Sequence, residues 1–175
     1  MAGGRALKSR MMRMKKGSGV SIVVITVLSC GCKPAPKTIA GEPSLQETQA
    51  WMHSFAADRG SGATFEGNGC SATITWLDNG SRYYTFSFSF DDLDPNSTRA
   101  VQTVASPPAL RNMWRATAVT TNNLKKVDVY NYQTKQSVRD SVIDGIPFSS
   151  NEDADRFAKA LRHATVLCGG KPSAF

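Results

Sequence analysis

A chain of 175 residues with 41% apolar content has material for one core and a processing segment, and not for two domains. The formal charge of +7 does not describe a basic surface: six of the 21 basic residues (Arg5, Lys8, Arg10, Arg13, Lys15 and Lys16) precede position 30, leaving 15 against all 14 acidic residues beyond it. After residue 37 no basic cluster exceeds the pair Lys125 and Lys126, which argues against a nucleic-acid partner.

In chain order, the basic stretch 1–16 leads to an apolar block of nine, "VSIVVITVL" at 20–28, then Ser29 and Cys30. A positive start, a short apolar middle and a small residue before a cut make the layout of a secretory signal. The uncharged stretch 17–32 has 16 residues, including Gly17, Ser18, Gly19 and Gly31. That falls short of the ~20 mostly apolar residues a spanning helix needs. Met11 or Met12 as initiator would shorten the leader.

Val27, Leu28, Ser29 and Cys30 resemble the lipobox of bacterial lipoproteins, with Val27 in place of the commoner leucine and Leu28 larger than the usual occupant. The resemblance covers about the first 30 residues. It implies that 1–29 is a signal peptide and that Cys30 is acylated and becomes the new amino terminus. The protein would then be a palmitate-bearing lipoprotein whose partner is the membrane itself. Two or three acyl chains suffice for lasting attachment, at ~0.8 kcal/mol per buried methylene. Gly31 stands where enterobacterial lipoproteins kept in the inner membrane carry aspartate, so the resemblance favours the outer membrane or the periplasmic face. Plain secretion with disulfides and an uncleaved anchor are the readings left beside it.

With Cys30 lipidated, Cys32, Cys70 and Cys168 remain. One intervening residue strains a bridge between Cys30 and Cys32, and a lone CxC pair is a weak metal site. Outside the cytoplasm Cys70 and Cys168 are expected to oxidise together if they meet, leaving Cys32 unpaired. Residues 30–43, with Pro34, Pro36 and Pro43, read as an extended, solvated tether to one folded domain over 44–175.

"SLQE" from Ser44 has the capping-box form, and Leu45, Thr48, Met52, Phe55 and Ala56 recur at helical spacing up to Arg59 and Gly60. His53 lies on this helix with no second histidine nearby.

Two alternating runs flank Asn79 and Gly80, a hairpin signal. A two-residue loop would pair Ile74 with Thr85. A three-residue loop over 78–80, with Gly80 left-handed, pairs Ile74 with Tyr84, Ala72 with Phe86 and Cys70 with Phe88. The second register is expected, because it gathers Cys70, Ile74, Tyr84, Phe86, Phe88 and Phe90 on one face with Thr75, Ser87 and Ser89 opposite. The aromatic stripe reads as core and not as a base-stacking platform, since its surroundings are not basic.

Further strands are expected over 99–105, 114–121, 124–132 and 137–146, with Asn122 and Asn123 making a second tight turn and Pro107 and Pro108 interrupting the order. The last element is a helix: Ser149 with Glu152 offers a cap, and Ala154, Phe157, Ala158, Leu161, Ala164 and Cys168 form one apolar stripe that Gly169 and Gly170 end. His163 falls off that stripe and is expected to be exposed.

Asp92, Asp94 and Asn96 alternate as at the start of a calcium loop, but its sixth and twelfth places hold Ser97 and Thr103, not glycine and glutamate. The segment reads as a strand exit with Asx turns, and no metal or cofactor is expected. No serine stands in a nucleophile elbow, no glycine-rich phosphate loop follows a strand, and the only histidines are His53 and His163.

These elements describe an α+β domain of about six mostly antiparallel strands with a helix before and a helix after. In element order alone it resembles the pleckstrin-homology-like arrangement, an analogy that carries no function. The expected role is non-catalytic: an envelope module that binds another protein or a small ligand through the sheet or its loops. The alternatives are an enzyme of unknown type and a purely structural component.

Overall fold

The computed structural model describes residues 41–103 and 112–174, all within one compact unit, Lys33–Phe175. The leader, Cys30, Cys32 and most of the expected tether lie outside the described residues.

Helix α1 spans Leu45–Arg59 and opens on the expected box: Glu47 N–H donates to Ser44 Oγ (3.2 Å) and the Glu47 carboxylate accepts from Ser44 N–H (2.8 Å). Five strands then form one antiparallel sheet: β1 (Ala63–Asn68), β2 (Ser71–Asp78), β3 (Ser81–Ser89), β6 (Val127–Asn131) and β7 (Gln136–Asp140), in the order β1-β2-β3-β6-β7. A second sheet holds β4 (Arg99–Gln102), β5 (Trp114–Val119) and β8 (Val142–Ile143), with β9 (Pro147–Phe148) also on β5. Helix α2, Asn151–Leu167, is the last described element and packs against α1, β4, β5 and β9. The class is α+β, as the residue pattern indicates, with two sheets in place of one.

The expected hairpin register is corrected. Asp78 pairs with Ser81, so the loop is the two-residue Asn79-Gly80 turn, with both φ angles positive (48° and 80°). The twist of such a turn matches the strands, which is why Asn-Gly favours it. The extra residue is instead Tyr83, inserted between the pairs Leu77–Arg82 and Trp76–Tyr84. Ile74 therefore faces Phe86 and Ala72 faces Phe88. This differs from the expected register by two residues, an even number, so the predicted faces survive: Ile74, Phe86, Phe88 and Phe90 are buried and Tyr84 is half-buried.

Strand β1 has no counterpart in the expected elements. Ala63 and Phe65 point into the core and Thr64 and Glu66 outward, and Asn68 pairs with Ser71 across a two-residue loop. Cys70 is in that loop and not opposite Phe88. The expected turn at Asn122 and Asn123 exists, both with positive φ, but it joins the two sheets and β5 does not pair with β6. Because β3 pairs with β6, the run of successive hairpins behind the pleckstrin-homology-like analogy is broken.

The core is one cluster. Phe157 of α2 meets Phe65 of β1 (ring centroids 5.8 Å apart) and Phe148 of β9 (5.5 Å), joining the helix to both sheets. Cys70 and Cys168 are disulfide-bonded with Cα atoms 5.7 Å apart, tying the end of α2 to the β1–β2 loop. The cap of α2 is one residue later than expected, with Asp153 N–H donating to Ser150 Oγ (3.1 Å). Phe148 is still held in β9 by pairing with Trp114, so the chain stays extended past Ser149 before it can turn.

Candidate functional site

The outward face of the five-stranded sheet is built from two rows of side chains that the register sets side by side. One row is Thr64, Thr75, Thr85, Tyr130 and Ser137; the next is Glu66, Thr73, Ser87, Asp128 and Arg139. Period-two alternation puts these hydroxyls outward because the opposite parity fills the core. Neighbours within a row bond across strands: Thr75 Oγ1 to Thr85 Oγ1 (3.3 Å), and Arg139 Nε–H to Asp128 Oδ1 (3.0 Å).

Between the rows and the β2–β3 turn lies a hollow of about 330 Å³, with Glu66 on one side and Arg82 and Tyr132 on the other. The Arg82 guanidinium stands 6.0 Å from the Tyr132 ring centroid, and the Tyr132 oxygen accepts from Thr85 Oγ1 (3.4 Å) and Arg82 Nη1 (3.5 Å). The Thr85 hydroxyl, then the Arg82 side chain, hold the Tyr132 phenol below its usual pKa, because both favour the phenolate. The hollow therefore offers a cation, a carboxylate and several hydroxyls on strands, with the Tyr132 ring from the turn just past β6, where Tyr132 N–H donates to Tyr83 O (3.0 Å).

The Asp92, Asp94 and Asn96 cluster is divided among separate partners. Asp92 pairs with Lys126, and Asn96 Oδ1 accepts from Arg162 Nη2 (3.4 Å). Asp94 is buried and accepts from Asn96 N–H (2.8 Å) and Ser173 N–H (3.0 Å). Burial pushes the Asp94 carboxyl up, but the bonds from Ser173, Asn96 and Ser97 outweigh it and hold the pKa below the ordinary value. Asp94 thereby holds the segment after α2, which also bonds the Asn122 turn: Asn122 N–H donates to Ser173 Oγ (3.0 Å) and Ala174 N–H to Asn122 Oδ1 (3.3 Å). Among the described residues no three His, Cys, Asp or Glu side chains gather as metal ligands.

The two histidines bind backbone. His53 Nδ1–H donates to Phe65 O (2.7 Å), fastening α1 to β1. His163 is half-buried, which corrects the expectation of exposure: its Nε2–H donates to Pro43 O (2.8 Å) and its Nδ1 lies 3.5 Å from the Glu42 carboxylate. The residues just before α1 cover it.

Residue patterns gave no hint of Arg115. Its guanidinium is buried, stacked 4.4 Å from the Trp76 ring centroid and paired with Asp144, and Trp76 Nε1–H donates to Gly145 O (3.2 Å). Its Nε and Nη2 groups have no hydrogen-bond partner among the described residues and are sealed from solvent. The guanidinium of β5 lying over the indole of β2 joins the two sheets.

No protein family matches this chain, and neither a curated protein nor a solved structure shows significant similarity to it.

Proposed function

We propose that this chain is a lipid-anchored module of the bacterial cell envelope, held by an acylated Cys30 on the outer membrane or periplasmic face, that binds a hydrophilic ligand or a polar segment of a partner protein without catalysis. The anchor rests on the Val27–Cys30 pattern behind a basic and then apolar leader. Among the described residues no helix is long and apolar enough to cross a membrane. The observation that carries the binding role is the sheet-face hollow, where Arg82, Tyr132, Glu66 and the threonine rows present fixed donors and acceptors. A polar site on strands is preorganised, so a ligand pays little ordering entropy on the protein side.

Intact-mass analysis of the membrane fraction tests the anchor. The mature chain should begin at Cys30 and carry its acyl chains, and Cys30→Ser should abolish that species. A mature chain free in the culture fluid, or starting elsewhere, sinks the anchoring. For the site, a photoreactive residue at Thr75 should capture an envelope component in cells, and Arg82→Ala with Tyr132→Ala should remove that adduct. An adduct undiminished in that double variant would mean that binding lies elsewhere.

A further inference from the structure

We infer that the outward face of α1, together with Arg156 and Lys159 of α2, is a second surface of this protein, and that it seats on the anionic headgroup layer of the bilayer carrying the anchor. The inference rests on the anchoring of Cys30 proposed above.

Four observations support it. First, α1 itself carries no Asp, Glu, Lys or Arg between Glu47 and Asp58, although Ala50, Trp51, His53, Ser54 and Ala57 are exposed there, and the one charged residue lining the hollow beside Ala50, His53 and Ser54 is Glu66 of β1. A solvated helix face ordinarily carries charge, so an exposed face without it points to contact with something less polar than water. Second, Trp51 remains 37% exposed and stacks on Phe55 (ring centroids 4.4 Å apart, 19° between planes). A Trp indole with one wet end and one apolar end suits the headgroup level of a membrane.

Third, cations flank the indole. The Arg156 guanidinium lies 5.3 Å from the Phe55 ring centroid and has no carboxylate partner among the described residues. Lys159, one turn further along α2, lines the same hollow, and the charges beside this pair are Asp155, 2.7 Å from Lys159, and Glu42, beside His163. One guanidinium is thus left for an anionic headgroup, with the aromatic pair beneath it. Fourth, the chain meets the fold here, since Glu42 and Pro43 line the hollow with Trp51 and Ala160.

The length of chain between Cys30 and this point sets the geometry. Twelve residues reach no further than about 40 Å when fully extended. A short tether raises the effective concentration of the bilayer at the face to the millimolar range, so a weak intrinsic affinity is enough to keep it seated. With the face so small and only modestly apolar, the contact is a shallow one and not an insertion. The sheet-face hollow adjoins this face at Glu66, and Arg82 and Tyr132 lie on its far side from α1.

The test uses mature acylated protein from cells expressing the full chain, reconstituted into vesicles of phosphatidylethanolamine and phosphatidylglycerol with acyl chains brominated near the headgroup. Part of the Trp emission should be quenched, and Trp51→Phe should remove that part while leaving the far-ultraviolet dichroism unchanged. Ala50→Glu, which puts a carboxylate on the same exposed face, should do likewise. Arg156→Glu, or high salt, should cut the quenching by about threefold or more, as expected of a screened attraction. If intact mass shows the acyl chains but the emission is not quenched, or quenching persists in Trp51→Phe, the seating of α1 is overturned and the anchor stands. That outcome would leave the uncharged face to a protein partner. If Cys30 carries no acyl chain, the anchor and the seating fall together.

Discussion

Helix α2 buries Ala154, Phe157, Ala158, Leu161, Ala164, Thr165 and Leu167 along one stripe and turns its charges outward, whereas α1 buries Thr48 and Gln49 beside Leu45, Met52 and Ala56 and leaves Trp51 outside. Helix α2 follows the core, with buried Thr165 donating its Oγ1–H to Leu161 O (2.9 Å) and Val166 left outside at its last turn. The second distribution makes sense only when particular polar bonds and a second contact are counted: Thr48 Oγ1–H donates to Ser44 O (2.8 Å), and Gln49 Nε2–H donates to Gly69 O (2.8 Å), so both buried polar groups are satisfied. Misplaced amphipathicity on a well-capped helix is thus a signal of its own, one that hydrophobic periodicity discards as noise.

Truncating the aromatic of each helix breaks this comparison most sharply. Phe157→Ala removes a fully buried ring that touches both Phe65 and Phe148, and the expected loss is about 3–5 kcal/mol in denaturant melts. Trp51→Ala removes a larger side chain from a half-open site and should cost clearly less than Phe157→Ala. Equal losses would mean that Trp51 is core and that α1 has no free face.

Next in size is the disulfide, which holds the end of α2 directly and reaches α1 only through the Gln49 bond to Gly69 O in the same loop. Cys70 and Cys168 lie 98 residues apart in sequence, and closing a loop of that length stabilises by at most about 4.7 kcal/mol in the chain-entropy model. Replacing both by Ser should lower the melting temperature. It should also raise hydrogen exchange first in the last turn of α2 and in the β1–β2 loop, leaving α1 protected. Uniform loss of protection would show the two helices to be one cooperative unit.

How much of this was readable in advance follows the range of the interactions. The capping box at Ser44, the α2 stripe and the Cys70–Cys168 pair were legible because each is a local pattern or a parity argument. The faces of β2 and β3 were legible too, but not their register: Ile74 with Phe86 and Ile74 with Tyr84 bury the same side chains, and only the positive φ of Asn79 with the extra residue at Tyr83 decides between them. Strand β1 was hidden because two inward residues make a faint alternation. The Asn68-Gly69 pair was its one available signal. The pairing of β3 with β6, the burial of Arg115 on Trp76 and the covering of His163 by Pro43 join residues far apart in sequence, so no window of residues contains them. The sheet-face hollow belongs with these, since Arg82 and Tyr132 meet only through that pairing.

The smallest effects separate the two helix starts. At α2 the cap is partly buried, so Ser150→Ala leaves Asp153 N–H without its acceptor and should cost about 1 kcal/mol. At α1 every bond of the box is exposed, water can replace the lost partner, and Ser44→Ala should cost less. The Ser44 hydroxyl, then its N–H, lower the Glu47 pKa, because both donate to the carboxylate. A carboxylate whose folded pKa lies below its unfolded value contributes stability above the unfolded pKa, and that contribution is lost as pH falls through the folded pKa. The difference between wild type and Ser44→Ala should therefore be full at neutral pH and shrink on acidification below the ordinary glutamate range. The Ser150→Ala difference, carried by a hydroxyl accepting from backbone, should keep most of its size over the same range. Melts of the two variants and the wild type across that range measure this, and a Ser44→Ala difference that grows on acidification would show that the box at α1 does not favour the ionised Glu47.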